Sequence, residues 1–306
     1  MKHTWSRREW LGAAGAISAS AACAADVLPP TRYQPNYILS SALYGNARLA
    51  DILPEVAAAG AFSIDLWPGP HGTQREEVDS LGIDRVQGLL REHDVRLGGI
   101  ACYKPGAFAL DSEFAVARQL GDADTVLVTM ARGDGEAAGE RLDAAIREFL
   151  EKLAPAIAQA EAGGGVIAIE NHSGSLLKSP ASIRRFASLV ESDRVGIAFA
   201  PHHLPQEAQL LADLAGDIGS RLKFVYAQQH GKGSSQKLPK EDELLQLPGR
   251  GPLDFGPLMR QLAAMQFAGP LEIFMHPVPR GVPILPTIPE ITAAIKASRA
   301  YLESLS

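Results

Sequence analysis

Four short stretches of the sequence end apolar runs with side chains that bind metals or move protons. They are VIAIENH at 166–172, VGIAFAPHH at 195–203, LKFVYAQQH at 222–230 and PLEIFMH at 270–276. Glu170, Asn171 and His172 close the first, His202 and His203 the second, Gln228 and His230 the third, Glu272 and His276 the fourth. Five of the eight histidines in the chain therefore stand at these ends. A buried run hides a charge only when something pairs with it. One such Glu or His is ordinarily a satisfied core residue, but four apolar runs ending alike call for a shared partner. On strands, residues two apart share a face, which groups Glu170 with His172, Tyr226 with Gln228 and His230, and Glu272 with Phe274 and His276. Two carboxylates converging on one mouth repel unless a cation lies between them, and a mixed oxygen and nitrogen set suits Mn²⁺, Mg²⁺, Co²⁺ or Zn²⁺.

Such a convergence needs a sheet that delivers its strand ends to one place. After the linker PPTRYQP, eight apolar runs alternate with segments whose apolar residues recur three and four apart, such as 48–59, 82–93, 136–161, 180–191, 205–218 and 257–267. Eight strand-helix units in about 270 residues predict a single (β/α)8 TIM barrel, an α/β fold with its site at the C-terminal strand ends. An open doubly wound sheet is the competitor, and the SSALYGNARLA after the first run lacks the glycine-rich phosphate fingerprint of that class. A long loop, HGKGSSQKLPKEDELLQLPGRGP, follows the seventh run, and loops of that length in a compact domain are usually functional or disordered.

With 306 residues, 46% of them hydrophobic, and a formal net charge of -6, the chain has enough apolar surface for a full core and no basic stretch suited to nucleic acid. The first residues carry paired arginines, Arg7 and Arg8, ahead of a weakly apolar Ala/Gly-rich segment, and Ser6-Arg7-Arg8 with Trp10 resembles the twin-arginine export consensus. We read residues 1–26 as a signal segment, 27–35 as a linker and 36–306 as the barrel. The expected partner is the twin-arginine export machinery, with a periplasmic or otherwise exported destination and a lipid anchor at Cys23 as a variant of it. The apolar run 11–25 is shorter than the roughly 20 residues of a membrane span. Cys102 is then left without a disulfide partner.

Most of the chain after the linker, and most strongly the part from Val166 onward, resembles the xylose isomerase-like barrels known as sugar phosphate isomerases and epimerases. IAIENH is similar to the fifth-strand segment whose glutamate binds metal, FVYAQQH to the seventh-strand segment with its His or Gln ligand, LPGRGPLDFGPLM to the glycine-rich turn before the last unit, and GPLEIFMH to the final strand with its glutamate ligand. The resemblance implies metal ligation by Glu170, Gln228 and Glu272, with the two glutamates also transferring protons. One departure stands out: FAPHHL puts Ala200 where the family usually has an aspartate ligand and His203 where a histidine touches substrate. His202, two residues beyond Ala200, is the expected replacement ligand, and His172, His203, His230 and His276 are left for substrate. Asp65, His71 and Lys104, with the aromatic residues Tyr44, Trp67 and Tyr103, are weaker candidates on the same rim. The implied activity is metal-dependent isomerisation or epimerisation of a sugar or related polyhydroxy carbonyl compound through an enediolate. Two alternatives stay open: a hydrolase or lyase acting on an oxidised sugar, and a carbohydrate-binding relic without catalysis.

Overall fold

The computed structural model describes residues 33–305. The expected signal segment and Cys23 lie outside the described residues. Eight parallel strands close a barrel in sequence order: β1 (Asn36–Ser40), β2 (Ser63–Leu66), β3 (Arg96–Ala101), β4 (Val126–Met130), β5 (Val166–Glu170), β6 (Val195–Phe199), β7 (Leu222–Ala227) and β8 (Pro270–Ile273). Ile38 of β1 pairs with Ser63 of β2 on one side and with Glu272 of β8 on the other, which closes the ring. These strands are mostly apolar on both faces because in a barrel one face meets the interior filling and the other meets helices. β5 and β6 are accordingly buried at every position.

The helices follow the predicted period. In Leu49–Ala59 the buried positions are Leu49, Ile52, Leu53, Val56 and Ala59, and in Gly139–Gln159 they are Leu142, Ile146, Phe149, Leu153 and Ala156. Each series makes a stripe one helix face wide, laid against the strands. Pro180–Leu189 and Ile288–Glu303 both begin with a reciprocal capping box, Ser179 with Ser182 and Thr287 with Glu290, which satisfies amides that the first turn leaves free. Among the described residues no helix is long and apolar enough to cross a membrane.

The strand register at one position bears on chemistry. Asp65 pairs with Ser40 on one side and Gly99 on the other. A Cβ at Gly99 would stand 2.7 Å from Asp65 Oδ1, so the glycine makes room for that carboxyl group inside the barrel. The predicted runs overshoot the observed strands at their C-terminal ends: FVYAQQ leaves the ladder after Ala227 and PLEIFMH after Ile273. Buried loop residues continue the apolar pattern beyond the last interstrand hydrogen bond. The long loop after β7 holds a short helix at Lys240–Glu243, flanked by 3₁₀ turns.

Candidate active site

A cavity of about 180 Å³ opens at the C-terminal end of the barrel and is lined by residues at or beyond the ends of seven strands, β2 to β8, among them Trp67, Tyr103, Glu170, His202, Tyr226 and His276. A larger hollow of about 910 Å³ lies among the strand starts, where Arg194 pairs with Asp124 at 3.3 Å and Asp193 with Arg221 at 2.8 Å, and among the described residues no histidine or buried carboxyl group lines it. Unpaired titratable groups mark the smaller cavity as the seat of chemistry.

Its floor is aromatic. Trp67 stacks on Phe274 with ring centroids 4.7 Å apart, and Tyr103 and Tyr226 lie against this pair. The Tyr103 and Tyr226 hydroxyls are 3.0 Å apart, and Tyr103 also reaches the Glu170 carboxyl.

Glu170, His202 and His203 come together in the wall. One ligand atom from each lies within 4.8 Å of the others, and His203 Nε2 is 3.6 Å from Glu170 Oε1. Both ring nitrogens of His202 and Nε2 of His203 are buried without a hydrogen-bond partner. Burial, with help from neighbouring imidazoles, pushes the His202 and His203 rings down, the latter to about 3, so both are neutral and free to ligate at neutral pH. Burial also raises Glu170 to about 8. One carboxylate oxygen and two imidazole nitrogens, with buried lone pairs lacking any donor, fit a divalent ion held by three protein ligands with open positions.

Strand alternation, which would set Ala200 and His202 on one face and His203 on the other, does not extend to these residues. β6 ends at Phe199 and Pro201–His203 form a 3₁₀ turn. On such a turn neighbouring side chains do not alternate across a sheet, and His202 and His203 both reach toward Glu170. Asn171 fixes the turn. Its Nδ2 donates to the Ala200 carbonyl at 2.9 Å, and its Oδ1 accepts the Ala200 N–H at 2.7 Å. His172 accepts the Gly174 N–H at Nδ1, which leaves its proton on Nε2.

Of the other predicted residues, His276 and His71 line the cavity with rings 5.1 Å apart. Gln228 is wholly buried and donates to Gln246, which in turn exchanges two hydrogen bonds with the His276 backbone. His230 is exposed, its backbone N–H bound by Gln206. Tyr44 is buried and meets Thr292, away from the cavity, and Lys104 pairs with Glu76 at 3.0 Å. Glu272 has no surface in the cavity. It lies two residues before Phe274, as Asp65 lies two before Trp67, so the two carboxyl groups sit one layer beneath the stacked rings. They face each other within hydrogen-bonding reach, and the Trp67 indole N–H and the Ser40 hydroxyl are the donors nearest to them, with no cationic side chain among the described residues beside the pair. Only a proton between them makes that contact favourable. Burial is the main cause that raises both, Asp65 to about 7 and Glu272 well above the usual carboxylate range, where Asp65 adds to it.

Two lining residues were not singled out by sequence, Met130 and Arg280. Arg280 lies four residues beyond His276 in a proline-rich loop, and no periodicity reports where such a loop folds back.

Among curated proteins, none matches this sequence. Solved structures do. IolI with a bound zinc atom aligns at TM-score 0.67 and 17% identity, over 88% of this chain and 98% of its own. The D-psicose 3-epimerase of Clostridium cellulolyticum H10, solved with D-tagatose, aligns at 0.64 and 13%, over 88% and 99%. The 3-keto-D-glucoside 4-epimerase YcjR from E. coli aligns at 0.61 and 15%, over 89% and 100%. At these identities the likeness is one of fold. Residues 53–304, nearly the whole barrel, match the xylose isomerase-like TIM barrel family, and the chain belongs to that family.

Proposed function

We propose that the protein is a divalent-metal-dependent isomerase of a small sugar or related polyhydroxy carbonyl compound. The observation that carries this reading is the meeting of Glu170, His202 and His203 above an aromatic floor at the C-terminal mouth. Zinc in IolI and ketoses in the epimerases support it by analogy. A divalent ion held by these three residues would supply a Lewis acid for the carbonyl and neighbouring hydroxyl oxygens.

The chain's own residues account for the rest. The stacked Trp67 and Phe274 rings offer an apolar surface to the C–H face of a sugar. His172 presents a protonated Nε2 to a substrate hydroxyl. Glu170, oriented by the Tyr226–Tyr103 hydroxyl chain, takes the proton from the carbon beside the carbonyl. The resulting carboxylic acid is the form that burial favours, and it returns the proton to the adjacent carbon. One carboxyl group thus suffices for the carbon-to-carbon proton transfer of aldose–ketose interconversion on one face, while the hydroxyl proton passes between the two adjacent oxygens. Glu272, sealed beneath the rings, takes no part in this transfer.

The test is Glu170→Gln, which keeps volume and removes the base. Product chromatography over a panel of aldoses and ketoses should show turnover in the native protein and a loss of at least about 100-fold in the variant. Undiminished turnover in the variant refutes the assignment. We further propose export by the twin-arginine route, with Arg7→Lys and Arg8→Lys together abolishing periplasmic yield. Unchanged yield overturns that part alone.

A further inference from the structure

Resting on the reading of this cavity as a sugar site, we infer that the substrate carries a carboxylate, as in a uronic or other sugar acid, and that Arg280 is the residue that selects it.

Arg280 lines the cavity and is partly buried. Its guanidinium is held in place by two backbone carbonyls, Nη1 donating to Pro277 and Nη2 to Ser234, both at 2.7 Å. Neither partner carries charge. Two other basic groups near this end are neutralised: Lys104 by Glu76, and Arg75 by Glu113 and Asp79. Among the described residues, no carboxylate forms an ion pair with Arg280. A guanidinium withdrawn from water, fixed in orientation and left without a counter-ion is incomplete by itself, and a ligand anion completes it.

The surrounding groups make the same point. Among the described residues, Glu170 is the only carboxyl group in the lining, and it is grouped with His202 and His203. His71 and His276 feel the Arg280 charge as repulsive, which helps to keep both rings neutral and able to accept or donate one hydrogen bond to a polar ligand. The anion expected is a carboxylate because the site offers one planar guanidinium with two of its five N–H donors already used, a match for two coplanar oxygens. A phosphate dianion ordinarily gathers more than one cation, and no second free one lines this cavity. The small volume, about 180 Å³, limits the ligand to a single sugar unit.

The test is isothermal titration of the full chain with glucuronate, glucose, glycerate and inorganic phosphate, repeated on Arg280→Gln and Arg280→Lys. Glucuronate should bind at least about tenfold more tightly than glucose, Arg280→Gln should abolish that preference, and Arg280→Lys, charged but not forked, should keep part of it. Equal binding of glucuronate and glucose, or a preference that survives Arg280→Gln, overturns the proposal and leaves the sugar reading standing. If neither hexose binds while glycerate binds in an Arg280-dependent way, the carboxylate site is upheld and the sugar reading fails. Arg280-dependent phosphate binding tighter than that of glycerate overturns the carboxylate in favour of a phosphorylated ligand. No anion binding to the native chain overturns the proposal outright. The melting temperature of each variant shows whether it is folded, and the Lys variant decides the matter if the Gln variant is not.

Discussion

Replacing Asp65 by Asn tests the buried carboxyl pair most directly. Asp65 is wholly buried against Glu272, and its carboxyl group is raised from 3.8 to about 7. The folded state therefore holds a proton that the unfolded chain gives up near pH 4. The stabilisation from this group is complete below the unfolded value and is lost as pH rises up to about 7, because over that interval the unfolded chain gives up a proton that the folded state still holds; above it both states carry the charge and the loss levels off. The interval spans about three pH units, each worth about 1.4 kcal/mol, so the native chain should lose up to about 4 kcal/mol relative to the variant between pH 4 and pH 8. Asn has the same shape and does not titrate, so carboxylates other than Glu272, which Asp65 itself helps to raise, cancel in the comparison. Urea midpoints of the native chain and Asp65→Asn, measured at four pH values across that range, give the difference. The difference should shift toward the variant as pH rises, steeply below pH 7 and little above it. A difference that is flat with pH would refute the proton-sharing pair.

Two further outcomes bear on the metal cluster. His203→Ala should lower affinity for Zn²⁺ by at least about tenfold, whereas Gln228→Ala should change it less, since Gln228 is bound to Gln246 and not to the cluster; competition with a chelating dye measures both, and the reverse ranking would restore the ligand set expected from sequence. At pH 7 Glu170 is largely protonated and the two imidazoles are neutral, so binding of Zn²⁺ should release about one proton. Calorimetry in buffers of different ionisation enthalpy reads this number directly, and zero release would exclude Glu170 as a ligand.

The barrel was legible in the sequence because each strand is a short apolar run and each helix a stripe of the right period. The polar strand ends were legible for the same reason, since charge at the end of a buried run stands out. The ligand set was less so. Alternation predicts a face only while the chain is extended, and Pro201 begins a turn that brings His203 beside His202. Glu170 and Glu272 look equivalent in the sequence, yet Glu170 is the last residue of β5 and Glu272 the third of four in β8. That difference in depth, with Trp67 and Phe274 closing over the lower position, gives one glutamate a cavity and the other a carboxyl neighbour. Arg280 was silent because it reaches the cavity along a loop, where no period constrains direction.

The amide side chains around the mouth have a wider consequence. Asn171 exchanges two hydrogen bonds with the Ala200 backbone, and Gln246 does the same with the backbone of His276. Each imitates a peptide group, adding a rung to the ladder where the strands have ended. The turn bearing His202 and His203 is therefore carried by main-chain bonding, and the side chain at position 200 is not required to hold it. Position 200 can drift to alanine while the imidazoles stay in place. A barrel mouth built on such rungs separates framework from ligands, so that new chemistry can be tried at single positions without rebuilding the loop that presents it.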